Sequence, residues 1–186
     1  MSHHEKISVS ISTILKFKIQ KGDKVSKATI DSLVAFEKSQ DVKDRILIYL
    51  SYRPRSKNEI LNHFKNKGFT DDLILSAIRT LEKKGYIDDV AFAKMYVKNL
   101  IENKLLGENY VRSKLYQHSI KPIILDQIIE KAYKKNLPID IIRKIIKKKS
   151  FEVSDKIMDN QKIIYHLKRK GFQWEDIVAA LSKSDF

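Results

Sequence analysis

The sequence predicts a mainly α-helical protein, an elongated array of three tandem three-helix modules preceded by a small mixed α/β N-terminal segment. Three observations carry this expectation. Apolar residues recur at helical spacing from Asp41 to the end of the chain. Three windows of the sequence align with one another without gaps. Glycine and proline are scarce, 5 and 3 among 186 residues, while 42% of residues are hydrophobic and 32% charged, the composition of a folded, helix-rich chain.

Residues 6 to 40 differ from the rest. Ile7, Val9 and Ile11 alternate with Ser8 and Ser10, which predicts a short half-buried strand. The spacing loosens from Thr13 to Ile19, KGD at 21 to 23 signals a turn, and Ser26 is placed to cap a helix carrying Ile30, Leu33, Val34 and Phe36. A lead helix is then expected from about Asp44, with Ile46, Leu47 and Leu50 inward. Pro54 ends it, because the residue before proline is pushed out of helical geometry. Ser56 and Glu59 form a capping box for the next helix, which Gly68 terminates, and Thr70 opens a third through Leu73, Ile74, Ala77, Ile78 and Leu81 up to Gly85. In KGYIDDVAFAKMYV at 84 to 97, Asp88 stands at a capping position and Asp89 in a first turn whose N–H groups lack partners. The two acids read as the start of a helix running to about Lys104. As a catalytic pair they would want a neighbouring histidine, nucleophile or ligand cluster, and none adjoins them.

The aligned windows begin at Glu59, Tyr110 and Lys162, with Phe69, Ile120 and Phe172 as anchors at the turns. Five residues before each anchor lie Phe64, Leu115 and Leu167; nine before, Ile60, Val111 and Ile163. Five after lie Ile74, Leu125 and Ile177; nine after, Ile78, Ile129 and Leu181. Unrelated helices share a 3.6-residue period but not a common turn position, so the repeat defines modules at 41–86, 87–136 and 137–186, with the N-terminal segment at 1–40. The anchors are expected to be buried. Lead helices are expected to start near Asp44, Asp88 and Pro138, and the short links between modules to leave them side by side. With about 20 Å per helix of about 14 residues, such an array is on the order of 60 Å long.

The formal charge is +14, with pI ≈ 9.7. The excess is spread as +3 over residues 1 to 40, +7 over 41 to 137 and +4 over 138 to 186, so some basic surface is expected to meet a polyanion or an acidic groove. Cysteine is absent, which removes disulfides, thiolate nucleophiles and thiolate metal sites and fits a reducing, cytoplasmic location. No apolar run approaches membrane-spanning length, and the start MSHHEK lacks the apolar core of an export signal. His63 and His166 occupy equivalent repeat positions with His118 nearby, but a shared metal site would need side chains from separate modules to converge. No cofactor, metal or enzyme activity is expected, and no heptad pattern argues against a monomer.

RPRSKNEIL at 53 to 61, KGYIDDVAFAKMYV at 84 to 97, the pattern Gly107, Val111, Leu115, and HLKRKGFQWEDI at 166 to 177 resemble the RecX family of regulatory proteins. The resemblance runs from about Val42 to the C-terminus; Ser119 stands where the family usually has glycine. It implies a non-enzymatic modulator of the RecA recombinase in DNA repair and the SOS response. Such a protein binds along the helical groove of the RecA filament on single-stranded DNA and blocks strand exchange, co-protease action and filament growth.

Candidate contact residues are Arg143, Lys144, Lys147, Lys148 and Lys149 on one helix of the third module and Lys168, Arg169 and Lys170 on another, with Arg53, Arg55 and Lys57 at the front of the first. The bland reading of each run is a solvated face or a set of charges opposing a helix dipole. Trp174 reads as a packing or end-surface residue rather than a base-stacking platform. An alternative function, a stand-alone DNA-binding protein with helix-turn-helix-like modules, draws on the winged-helix look of residues 56 to 87. Asp71 and Asp72 at the front of its reading helix oppose that, as does the absence of a hairpin after GYI.

Overall fold

The computed structural model describes residues 6–154 and 156–182. The polar start at residues 1–5 and the last residues of the third module, 183–186, lie outside them. The described residues form ten α-helices and one 3-10 turn, with no strand. They divide into two compact units, residues 6–87 and 88–182.

In the first unit, α1 (Ile11–Phe17) is followed by α2 (Lys27–Tyr52), α3 (Lys57–Lys65) and α4 (Asp71–Lys83). The expected N-terminal strand is not formed. Alternation over five residues needs a neighbouring edge to pair with, and the chain instead turns helical after Ser10. The hydroxyls of Ser10 and Thr13 donate to the Glu37 carboxylate of α2, Phe17 meets Phe36 edge-on at 5.8 Å, and the Lys16 ammonium lies 3.5 Å from the Phe36 ring centre. Ser26 caps α2 as expected, accepting from the Thr29 N–H at 3.1 Å. From there α2 runs unbroken for 26 residues, so the boundary drawn at 40/41 falls inside a helix and the lead helix starts at Lys27, not Asp44. Nothing between Ser26 and Pro54 breaks helical geometry; Val42 and Ile46, one turn apart, bury one face of its second half, and Leu33 is buried on the other side nearer its start. Val42 and Ile46 pack with Ile60, Phe64, Ile74, Ala77, Ile78, Leu81 and Ile87.

The Ser56 and Glu59 capping box is present in both directions. Asp88 accepts from the N–H groups of Val90 and Ala91 at 2.8 and 3.0 Å, which makes it the cap of the next helix.

The second unit comprises α5 (Asp89–Glu102), α6 (Glu108–Tyr116), α7 (Pro122–Lys135), α8 (Pro138–Lys149), a 3-10 turn (Ile157–Asn160), α9 (Gln161–Arg169) and α10 (Trp174–Ser182). The two helix triplets expected to stand side by side share one core, reaching from Phe92 and Val97 on α5 to Ile177 and Leu181 on α10. The reason is a backbone contact. The Gly107 N–H donates to the Lys170 carbonyl at 2.8 Å and the Asn109 N–H to the Gly171 carbonyl at 3.2 Å, seating the start of α6 on the end of α9. A Cβ on Gly107 would lie 2.5 Å from the Gly171 carbonyl; one on Gly171 would lie 2.4 Å from the Tyr110 nitrogen. Within the triplet of α5 to α7, Tyr133 donates its hydroxyl to the Leu106 carbonyl at 2.7 Å.

All twelve repeat positions flanking the anchors are buried. Of the anchors, Ile120 and Phe172 are buried, but Phe69 is half-buried, packed against Phe64 at the edge of the first core. The turn that carries glycine in the first and third triplets, Gly68 at φ 88° and Gly171 at φ 84°, carries Ser119 at φ 54° in the second. A left-handed serine costs roughly 1–2 kcal/mol.

Two substitutions test these backbone arguments. Ser119→Gly is expected to raise stability by about 0.5–1 kcal/mol in denaturant melts, the relieved strain exceeding glycine's added freedom in the unfolded chain. Gly107→Ala is expected to lower it by about 1–3 kcal/mol, because the added methyl meets backbone that cannot rotate away.

Candidate functional site

The structure separates the candidate basic residues into two kinds. Around α3 they are engaged. Arg53 donates to both Glu59 oxygens, at 2.6 and 3.3 Å; Arg55 lies 3.8 Å from Glu59 and 4.1 Å from the Tyr49 ring centre; Lys57 pairs with Glu82 at 2.9 Å. Glu59 also accepts from the Ser56 N–H, so one carboxylate joins the end of α2 to the start of α3. These charges brace the first unit. In the sequence, the capping-box position of Glu59 is the signal that its basic neighbours have a local partner.

The second unit differs. Lys144, Lys147, Lys148 and Lys149 on α8 and Lys168 and Arg169 on α9 are exposed, and none makes an ion pair among the described residues. Arg143 is half-buried on the inner side of α8. The two runs, separate in sequence, meet around His166 and Lys170. Burial, then Lys149, Lys170 and Arg169, push the His166 imidazole below its ordinary value. Its Nε2 is buried with no hydrogen-bond partner among the described residues, and its ring packs on Phe151 at 5.8 Å.

Lys170 is the exception within its run. Its ammonium donates to the carbonyls of Lys104 and Leu105 at 2.8 and 3.2 Å, and burial with Lys149 and Lys148 holds its pKa below the usual value. It sits with Asn103, Lys104, Lys148 and Lys149 around a hollow of about 260 Å³ where the C-terminal ends of α5, α8 and α9 converge. The lysines there oppose the negative ends of three helices. Lys170 therefore holds the chain together where it was expected to reach a partner.

Two further exposed groups lie beside this face. Tyr165 is 66% exposed and Trp174 is 42% exposed; the Arg169 guanidinium lies 5.7 Å from the Tyr165 ring centre and the Lys168 ammonium 5.0 Å from that of Trp174. Trp174 was expected to pack or to lie at an end surface, and its exposure fits the latter.

The three histidines stay with local rings. His63 stacks on Tyr49 at 4.0 Å and His118 packs on Phe92 and Tyr96 at 4.8 and 5.2 Å. No group of three potential metal ligands forms among the described residues. None of the described helices is long and apolar enough to cross a membrane. The putting of α5 directly after Ile87 leaves no hairpin wing, and Asp71 at the start of α4 is held by Lys65 at 2.8 Å, so the winged-helix likeness ends at α4.

No protein-family model matches the chain. Among curated proteins it is 31% identical over 188 residues to regulatory protein RecX of Bacillus licheniformis, an alignment covering 96% of this chain and 68% of that protein. The chain belongs to the RecX family. The RecX proteins of Geobacillus thermodenitrificans and Staphylococcus aureus N315 are 26% and 25% identical over 95% and 97% of this chain. The chain spans 66% of each of these two relatives. The fold agrees: a crystal structure of regulatory protein RecX superposes with a TM-score of 0.78 over 97% of this chain and 91% of that one, at 21% identity. RecX from Lactobacillus salivarius gives 0.63 over 77% of this chain and 94% of that one.

The His166 environment sets a pH dependence. A histidine whose folded pKa lies below its unfolded value, here near 6.5, contributes stability that is full above that value and is lost as pH falls through the folded pKa. His63, lowered by burial and by Lys67 and Arg55, acts in the same direction in the first unit. His166→Gln is expected to lessen the drop in melting temperature between pH 7 and pH 5; an unchanged drop would exclude His166 as a source.

Proposed function

We propose that this chain is a non-enzymatic regulator that binds the RecA filament in its helical groove and restrains strand exchange, co-protease action and filament growth. The observation that carries the reading is membership of the RecX family along nearly the whole chain. The unpaired basic face of the second unit supports it, since a filament groove holding single-stranded DNA is rich in phosphate and accepts a surface of this sign. The contact residues are Lys144, Lys147, Lys148, Lys149, Lys168 and Arg169, with Arg143 behind them. Arg53, Arg55 and Lys57 serve the first unit. The protein acts in the cytoplasm, as a monomer, without a cofactor.

Adding the purified protein to RecA, single-stranded DNA and ATP is expected to inhibit strand exchange and to alter ATP turnover. No effect at severalfold excess over RecA would overturn the reading. Reversing Lys147, Lys148, Lys168 and Arg169 to Glu is expected to keep the helical fold while lowering stability by about 0.3–1 kcal/mol for each charge turned against a helix C-terminus, exposed charges contributing little else to folding. The same variant is expected to bind the filament about tenfold or more weakly and with a shallower salt dependence. Inhibition at the wild-type dose and salt slope would assign those residues to solvent.

A further inference from the structure

We propose that Tyr165, Lys168, Arg169 and Trp174 form a stacking platform for single-stranded nucleic acid, the rings taking the faces of bases and the two cations the phosphates between them. The proposal rests on the same basic face as the proposed function and states what chemistry that face recognises. On α9, Tyr165, Lys168 and Arg169 fall at i, i+3 and i+4, one side of the helix, and Lys168 reaches over the ring of Trp174 at the start of α10.

Three features distinguish this arrangement from a merely solvated surface. First, both rings are large and open: Tyr165 is 66% exposed and Trp174 42%, although α9 and α10 each bury a separate apolar face, with Ile163 and Leu167 on one and Ile177, Ala180 and Leu181 on the other. Second, the cations beside the rings have no carboxylate partner among the described residues, unlike Arg53 and Lys57, so their charge is available to an anion. Third, the two acids that follow Trp174 in sequence, Glu175 and Asp176, lie in the first turn of α10, where the open N–H groups partly offset their charge, and burial, then Glu175 and Glu108, raise the Asp176 pKa.

Alternating rings and cations match a single strand in particular. A strand out of duplex offers base faces to aromatic side chains and phosphates to lysine and arginine, whereas a duplex hides the faces and an acidic protein surface uses only the charge. The platform reads no sequence, because every base has a π-face.

Trp174 is the sole tryptophan of the chain, so its emission reports the event directly. The protein is titrated, without RecA, with an oligothymidylate of about 15 nucleotides, with an abasic strand of the same length and charge, and with duplex DNA. The oligothymidylate is expected to quench Trp174 emission to saturation, and the abasic strand and the duplex to leave it nearly unchanged. Followed by anisotropy of a labelled strand, Trp174→Ala and Tyr165→Ala are each expected to weaken oligothymidylate binding by about tenfold, with Trp174→Phe largely retaining it. Circular dichroism confirms that the exposed substitutions leave the fold intact. Equal binding of the abasic and thymidine strands, or the same affinity in Trp174→Ala as in the wild type, overturns the platform and leaves only charge attraction. Emission that responds to RecA alone and to no strand overturns it in favour of a protein-docking face. Loss of the platform with intact inhibition of strand exchange leaves the regulatory reading standing. Base-dependent binding with no effect on strand exchange supports the platform and overturns that reading.

Discussion

The second unit hangs on a place where two backbones touch with no side chain between them. Gly107 and Gly171 let the first turn of α6 lie against the last turn of α9, so that N–H groups left open by one helix meet carbonyls left open by the other. Any larger residue at either position would push the helices apart. From this contact follow the shared core, the convergence of three helix C-termini and the diversion of Lys170 from the surface to the carbonyls of Lys104 and Leu105. Lys149 from the end of α8 joins Lys170 and Arg169 from the end of α9 around one histidine, His166.

Much of this architecture was legible in the residues. The gapless alignment placed every flanking repeat position in a core, the capping roles of Ser26, Ser56 and Asp88 were readable from side-chain chemistry, and the family followed from ordered motifs. What escaped has a common cause. Periodicity tells which face of a helix is buried but not what covers it, so the fusion of two triplets into one core and the half-open position of Phe69 were invisible. The Ile7 to Ile11 alternation fits a strand only if a partner strand exists, and that is a tertiary fact. The continuous α2 was masked by a change in composition near residue 40 that has no counterpart in the backbone.

The candidate site was half legible for an electrostatic reason. A sequence counts charges but does not show which are already satisfied. Arg53, Arg55 and Lys57 carry the same formal charge as Lys147, Lys148 and Lys168, yet Glu59 and Glu82 lie against the first group and no carboxylate among the described residues against the second. Trp174 posed the opposite difficulty. An aromatic residue at the start of an apolar helix is ordinarily a core residue, and only its position over Lys168, outside the buried face of α10, distinguishes it.

The tie between Lys104 and Lys170 spans 66 residues of chain. Each helix triplet closes over a much shorter loop, and short loops form quickly because less chain entropy opposes them. Joining the triplets closes a longer stretch of chain than either triplet does, and so costs more loop-closure entropy. The backbone hydrogen bonds that Gly107 and Asn109 make across the same junction carry no net charge, so salt screens them less than it screens the Lys170 ammonium beside them.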